Sequence, residues 1–493
     1  MNGTAVSAGG RRMPPLRFGL KLGYAAGALL DGVGTQAVSI FLFFYVTAVC
    51  GVPAALAGVA LAAGLVVDGL VDPLIGSTSD SWHSRWGRRV PFMLVGLPGT
   101  MLFLTLIFAL PSGLGGGALF AWLTLLSIGL RVSMSLFLLP FNAVGAELSD
   151  DYAERSSIAA WRWGFAMIGA LIVIVMGFGV FMGGEGGLSR RASYLPFAVT
   201  VAIVAGLGAL IAIRALLGTR DRQHPAPATT GSVHTRLFRE MGEVFRNQSF
   251  RTLFVGALLL FTSLSIHATL GLHANNYFWR MTPAQIQSVT LALFVGLLLG
   301  APLAGPVLKR LEKRTVLLIG MVGLALAFSV PATLRLFGVF PFTGATLAAI
   351  LSAAVFGGGM LMAMAAIAFA SMMADAADEH EHLFGARREG LYFAGWAFAS
   401  KAATGFGALA SGVALQVIGF PSGASAAAVK ALPPRTADMI GLAYGPGASL
   451  LALGAAAICF GYRLDARKHA GIRAELDARH AAAALAAGVA IAA

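Results

Sequence analysis

Apolar residues fall in twelve long runs. Six lie at about 20–49, 53–78, 90–111, 116–146, 158–183 and 193–218, and six more at about 251–279, 284–308, 315–337, 343–376, 389–420 and 439–463. A bilayer core takes about 20 apolar residues per spanning helix. The pattern therefore predicts an all-α integral membrane protein of twelve transmembrane helices in two six-helix bundles. The expected units are an N-terminal bundle (1–218), a linker (219–250), a C-terminal bundle (251–463) and a tail (464–493). Within the linker, Pro225 and Pro227 precede an amphipathic stretch, LFREMGEVFRNQSF, which reads as a surface helix. The Ala-rich end after Arg479 is too short to span and reads as a frayed helix.

Composition agrees. The 493 residues are 57% hydrophobic and 12% charged, with a mean hydropathy of +0.79. A soluble protein carries roughly 25% charged residues, so lipid is the solvent for most of this chain. A net charge of +13 would suggest nucleic acid in a soluble protein. In a membrane protein it marks loops that stay in the cytoplasm, and no nucleic-acid partner is expected.

The distribution of charge sets the orientation. Arg11, Arg12, Arg17 and Lys21 precede or open the first span, and Arg85, Arg88 and Arg89 follow the second. Arg155 follows the fourth, Arg220 and Arg222 open the linker, and Lys309, Arg310, Lys313 and Arg314 follow the eighth. Arg387 and Arg388 follow the tenth. The alternate loops carry few charges, so both termini are expected in the cytoplasm and the protein in the cell inner membrane. The polar, basic start and the length of the first apolar run do not fit a cleaved signal peptide. Cys50 and Cys459 imply neither a disulfide framework nor a metal site. Two six-helix halves with a cytoplasmic linker is the layout of the major facilitator superfamily, whose halves are related by an axis along the membrane normal.

Ionisable groups at mid-bilayer are costly and mark functional positions by default. Asp68 and Asp72 stand in VVDGLVDPLIG on the second span, four residues apart and about 6 Å along one face. Such a pair repels unless a cation or a proton lies between the two carboxylates. Oxygen ligands suit Na+, and the same pair suits a shared proton; a purely structural ion pair with Arg131 or Lys401 is the plainer reading. Asp31, one-third of the way along the first span, either faces this pair or is neutral and hydrogen-bonded. Arg131, mid-way along the fourth span with Ser135 one turn on, is expected to pair with Asp31, Asp68 or Asp72. Arg162 either snorkels or offers its forked donors to a substrate. Lys401 on the eleventh span needs a carboxylate across the bundle. His267 and His273 read as ordinary interhelical hydrogen-bond formers. Trp161, Trp163, Tyr392 and Trp396 are candidates to stack a sugar ring, although most tryptophans in such proteins anchor at interfaces. No catalytic set and no phosphate-binding loop stand out, so an ion gradient or the substrate's own gradient is the expected energy source, with no cofactor.

Four stretches taken together carry a resemblance: KLGYAAGALLDG; VVDGLVDPLIGSTSD with SRWGRRVPF; LPFNAVGAELSDDYAERSSIAAWR; and MMADAADEHEHLFGARREGLYFAG followed by Lys401. In order and spacing they resemble the glycoside–pentoside–hexuronide:cation symporter family of the major facilitator superfamily, which includes melibiose permease. The resemblance implies that Asp68, Asp72, Ser135 and Lys401 belong to a cation site, with Na+ on the two carboxylates if transport is coupled, and that Arg162 lies near the sugar. It implies that Asp375 and Asp378 gate the cytoplasmic side by pairing with loop arginines such as Arg387 and Arg388.

The departures are equally informative. Leu138 and Asn142 replace the aspartate and tryptophan that family members place near sugar on the fourth span, and Arg131 replaces a glycine beside the cation site. Asp31 neighbours the family's acid on the first span, about 100° round the helix. The substrate-site candidates are therefore Asp31, Asn142, Arg162 and Trp396, and a partly apolar substrate is compatible with the lost sugar anchors. The expected function is secondary transport of a small organic solute coupled to Na+ or H+ by a monomer. The alternatives are an uncoupled uniporter, exchanger or lysolipid-type carrier with Arg131 in place of the cation, and a sensor that transports nothing. An enzyme is not expected.

Overall fold

The structure is a computed structural model that describes residues 16–114, 116–184, 186–219, 242–386, 388–421 and 432–492. The first half holds α1 (Phe18–Leu42), α2 (Ala54–Ser81), α3 (Val90–Ile107), α4 (Gly116–Glu147), α5 (Ala153–Phe181) and α6 (Arg191–Leu216). The second holds α7 (Gln248–Phe278), α8 (Pro283–Leu308), α9 (Lys313–Leu336), α10 (Gly344–Phe384), α11 (Glu389–Val417) and α12 (Pro434–Phe460). A thirteenth helix, α13 (Ala466–Ala492), follows. Among the described residues no strand is present.

Eleven of these helices are long and apolar enough to cross a membrane by length and composition. The exception to the twelve expected is α11, which is long enough but carries Glu389, Lys401 and Gln416 among its small residues. The tail also differs from expectation: α13 is a continuous helix to Ala492 rather than a frayed end. Most of the linker, including Arg220, Arg222 and the start of its amphipathic stretch, lies outside the described residues, as do Arg11, Arg12 and Arg387.

Local chemistry fixes several helix starts. The Asp151 carboxylate accepts from the Glu154 N–H at 2.7 Å to open α5, and the Asn247 side chain accepts from the Phe250 N–H at 3.1 Å to open α7. Thr282 and Gln285 form a reciprocal capping box on α8. The ends of α1 and α7, equivalent helices of the two halves, both relax into π-helical turns, at Ala37–Leu42 and Ala274–Phe278. A repeat of the same irregularity at matching positions fits halves related by internal symmetry.

The buried apolar core of the first half continues into the charge-poor end of the second through Ile266, Leu270, Tyr277, Trp279 and Phe420. At the basic end the second half has a separate core of its own, which includes Phe250, Met372, Tyr392 and Tyr462. The halves are thus sealed together at the charge-poor end. Two contacts reinforce the seal. His273 of α7 meets the Thr47 hydroxyl at 2.9 Å; that hydroxyl donates to the Phe43 carbonyl, so the imidazole Nε2–H is the donor. Along the α2–α11 seam, a Cβ at Gly412 would lie 2.4 Å from the Ala54 carbonyl oxygen, and one at Gly58 would lie 2.7 Å from that of Ala408. Only glycine permits helices to approach this closely.

Candidate functional site

Where α2 and α11 meet below the seam, three charged side chains converge from the two halves. Lys401 Nζ lies 2.9 Å from Asp68 Oδ2 and also contacts Asp72 Oδ2. From α4, the Ser135 hydroxyl donates to Asp68 Oδ1 at 2.6 Å. The Asp68 side chain is 5% exposed and that of Lys401 40%. Both oxygens of Asp68 are therefore engaged, while Asp72 Oδ1 is buried without a hydrogen-bond partner. Pro73 follows Asp72 and has no N–H to bond the carbonyl of Gly69 one turn earlier, which loosens α2 beside the carboxylates.

Arg131 departs from expectation. Among the described residues it makes no ion pair within 4.0 Å. It lies near enough to Asp68 and Asp72 to interact electrostatically, and it faces a cavity. Two cations and two carboxylates thus share this part of the interior, and their formal charges cancel. The physical reason is competition: the lysine's compact ammonium reaches both acids, so the guanidinium is left with the cavity wall.

The cavity lies between the halves. It measures about 430 Å³ and is lined by α1, α2, α4, α7, α11 and the end of α3, with Gln36, Ser127, Arg131, Ser265 and Thr404 among its polar groups. A second cavity of about 390 Å³, lined by α1, α7, α8, α9, α10 and α12, shares Gln36, Ser39, Leu264 and Ala268 with the first.

The candidate substrate residues are not gathered on these walls. Asp31 accepts a hydrogen bond from Thr35 at 3.2 Å and faces Arg162 rather than Asp68. The Arg162 guanidinium donates to Asn142 Oδ1 at 2.6 Å and lies beside the Tyr24 hydroxyl, which itself donates to the Phe141 carbonyl. Tyr24 is not singled out by the sequence; its position seven residues, about two turns, before Asp31 on the same helix face is the signal that could have found it. Trp396 packs between Phe369 and Phe393, and Tyr392 against Phe250, so both are spent in the core. Trp161 packs edge-on against Phe18. His267 bonds its own helix at the Ser263 carbonyl and lies against Phe328, so it does not join helices as expected.

At the basic end each half carries an ion-pair cluster on the last turns of its fourth helix. In the first half, Glu147 of α4 binds Arg88 and Arg89, and Asp80 binds Arg89. Burial pulls the Arg89 pKa down, and Glu147 and Asp80 oppose that shift. In the second half, Asp375 of α10 pairs with Lys313 at 2.6 Å, and Asp378 with His469 at 3.1 Å and Arg473 at 3.6 Å. Partners of these aspartates thus include a lysine at the start of α9 and side chains of α13, while Arg387, one of the loop arginines expected, lies outside the described residues. Arg388 lies 3.9 Å from Glu243. Burial, with the carboxylates of Asp375 and Glu379 nearby, pushes the Tyr462 phenol up, so it remains a donor to the Met372 carbonyl.

The arrangement of two helical halves around a cavity lined in part by polar groups has a direct counterpart among known proteins. A model of the MFS/sugar transport protein family matches residues 23–466. The chain belongs to that family. It is 24% identical to the inner membrane symporter YicJ of Escherichia coli over 410 residues, covering 81% of this chain and 83% of that one. It is 32% identical to an uncharacterized symporter of Synechocystis over 166 residues, which span 33% of this chain and 30% of the relative. In fold it matches the crystal structure of a D-xylose–proton symporter with a TM-score of 0.63 at 15% identity, over 91% of this chain and 98% of that one. This family member is a multi-pass membrane protein and a secondary active transporter of the sugar and glycoside type, as the resemblance to the glycoside–pentoside–hexuronide:cation symporters implied. Among the described residues no group of three or more His, Cys, Asp or Glu side chains is placed to hold a metal ion.

Proposed function

We propose that the chain carries a sugar or glycoside across the inner membrane by alternating access, as a monomer with both termini in the cytoplasm and with no catalytic role. We propose further that the cation serving its second-helix carboxylates is built in. One observation carries this reading: Lys401, on one half, bridges Asp68 and Asp72 on the other. A salt link across the two rocking bodies must be remade when they change their contact, so these three residues are placed to lock the carrier between turnovers. With Arg131 adding a second positive charge beside them, a sodium ion would have to enter a region whose carboxylates are already neutralised. Transport should therefore proceed without sodium.

The second reading, coupling to Na+ or H+, is favoured by the buried, unpartnered Oδ1 of Asp72. An ion or proton there would need Lys401 to move aside. Purified protein in liposomes distinguishes the two. A panel of radiolabelled sugars and methyl glycosides is tested in counterflow with Na+ replaced by choline and the pH gradient collapsed. The expected result is counterflow of at least one sugar, unchanged by ion replacement and lost in Asp68→Asn. A tenfold dependence on Na+ or on pH would overturn the built-in cation, and counterflow of no sugar would overturn the carrier reading itself.

A further inference from the structure

The two cavities between the halves are lobes that differ in chemistry and adjoin along four shared wall residues, Gln36, Ser39, Leu264 and Ala268. In the first lobe Arg131 offers donors with no ion pair within 4.0 Å. The Ser265 and Thr404 hydroxyls already donate to the Thr404 and Ser400 carbonyls, so they present lone pairs to the lobe. A group that both donates and accepts, such as a sugar hydroxyl, fits this mixture. The second lobe is walled mainly by side chains such as Leu293, Phe294, Leu297, Phe328 and Met362. Its histidine, His267, has spent its Nδ1 on Ser263 and its ring face on Phe328 at 4.2 Å. The polar groups left on this wall are few, the unbonded Nε2 of His267 and side chains such as Gln36, Ser39, Asn275 and Thr290, so a fully hydroxylated ring placed there would lose more water than it regains in partners. An apolar group would gain by burial.

We infer that the substrate is an amphiphilic glycoside, with its sugar under Arg131 in the polar lobe and an apolar aglycone of one or two rings in the lobe between α7, α8 and α10. Each lobe falls within the size range of sites for small ligands, so neither half of such a molecule is left outside. The inference rests on the sugar-carrier reading and specifies its substrate class. It also explains why an arginine stands in the membrane interior without an ion pair within 4.0 Å: its partner is the ligand.

The test is equilibrium binding to the detergent-purified full chain. Probes are matched methyl and phenyl glycosides of glucose, galactose, xylose and glucuronic acid. For the sugar that binds, the phenyl member should bind at least about tenfold more tightly than the methyl member. Gly271→Leu should erase that gain while leaving methyl glycoside affinity within about twofold, since a Cβ at Gly271 meets nothing closer than Tyr444 at 4.0 Å. Ala366→Leu, on the α10 wall of the same lobe, serves if the first variant does not fold. Equal affinity within a pair, or a phenyl advantage that survives both variants, would overturn the inference while leaving a sugar carrier intact. Binding of no glycoside would overturn both.

Discussion

Two pairs of aspartates in this protein have nearly the same sequence signature and opposite surroundings. Asp68 and Asp72 are one turn apart on α2, and Asp375 and Asp378 are three residues apart on α10. The second pair lies at the basic end and is served by Lys313, His469 and Arg473, with Lys468 on neighbouring Glu379. These partners come from the same half of the molecule or from the tail helix that follows it. The first pair sits among apolar helices, has one cation in contact, and takes that cation from the opposite half. Redundant partners within one body make a clasp. A single partner across two bodies makes a contact that can be broken and remade, and that is the feature a rocking carrier requires.

Lys401→Met tests the contrast where the effect is largest. Removing one member of a buried pair leaves the other charge uncompensated, at a cost of about 3–5 kcal/mol for a fully buried pair. Because Lys401 is 40% exposed, about 2–3 kcal/mol is expected here, read as a fall in the thermal midpoint of purified protein. Counterflow should be abolished. Adding Asp68→Asn and Asp72→Asn to the same protein should restore most of the lost stability without restoring transport. Recovery of transport would show that the link is only structural.

Ser135→Ala is the next step down. It removes a 2.6 Å hydrogen bond to a buried carboxylate, a class of bond that contributes about 1.5–3 kcal/mol. The expected outcome is slowed counterflow and a smaller thermal shift than Lys401→Met. Gly58→Val should act on the seam rather than on the charges. A Cβ there stands 2.7 Å from a backbone oxygen of α11, and overpacking of this kind costs about 1–3 kcal/mol. Cysteine pairs across the charge-poor end should then cross-link less readily, which an unaltered yield would contradict. Asp378→Asn should matter least. Its side chain is only 10% exposed, but its partners His469 and Arg473 are 21% and 45% exposed and an amide oxygen can still accept from them, so a change of about 1 kcal/mol is expected, with transport retained. A loss of transport in that variant would erase the difference between the two clusters and make the α10 clasp part of the transport cycle.

The sequence made the class of the protein legible, because lipid imposes length and composition on every span. It also made the charged candidates visible, because charge is rare in such helices. What it could not show was which charges meet. Arg131 looked like the natural partner of the acids, being in the same half and at similar depth. Only the packing of α11 against α2 reveals that Lys401, more than three hundred residues away, arrives first.

The same limit explains Asp31 and Arg162. Their depths were readable, but the rotation of each helix about its axis was not, and that rotation turns Asp31 toward α5 rather than α2. The α13 helix was hidden for a different reason: its contacts to α10 are made by charged and histidine side chains that a hydropathy pattern reads as mere tail. By itself, then, the sequence determined that this chain spans a membrane in two halves and which residues were costly enough to be meaningful. Tertiary structure decided their pairing, left Arg131 facing a cavity, and set a polar lobe beside an apolar one. Spacing along a helix is local, whereas the neighbours of a buried charge are set by how separate helices pack.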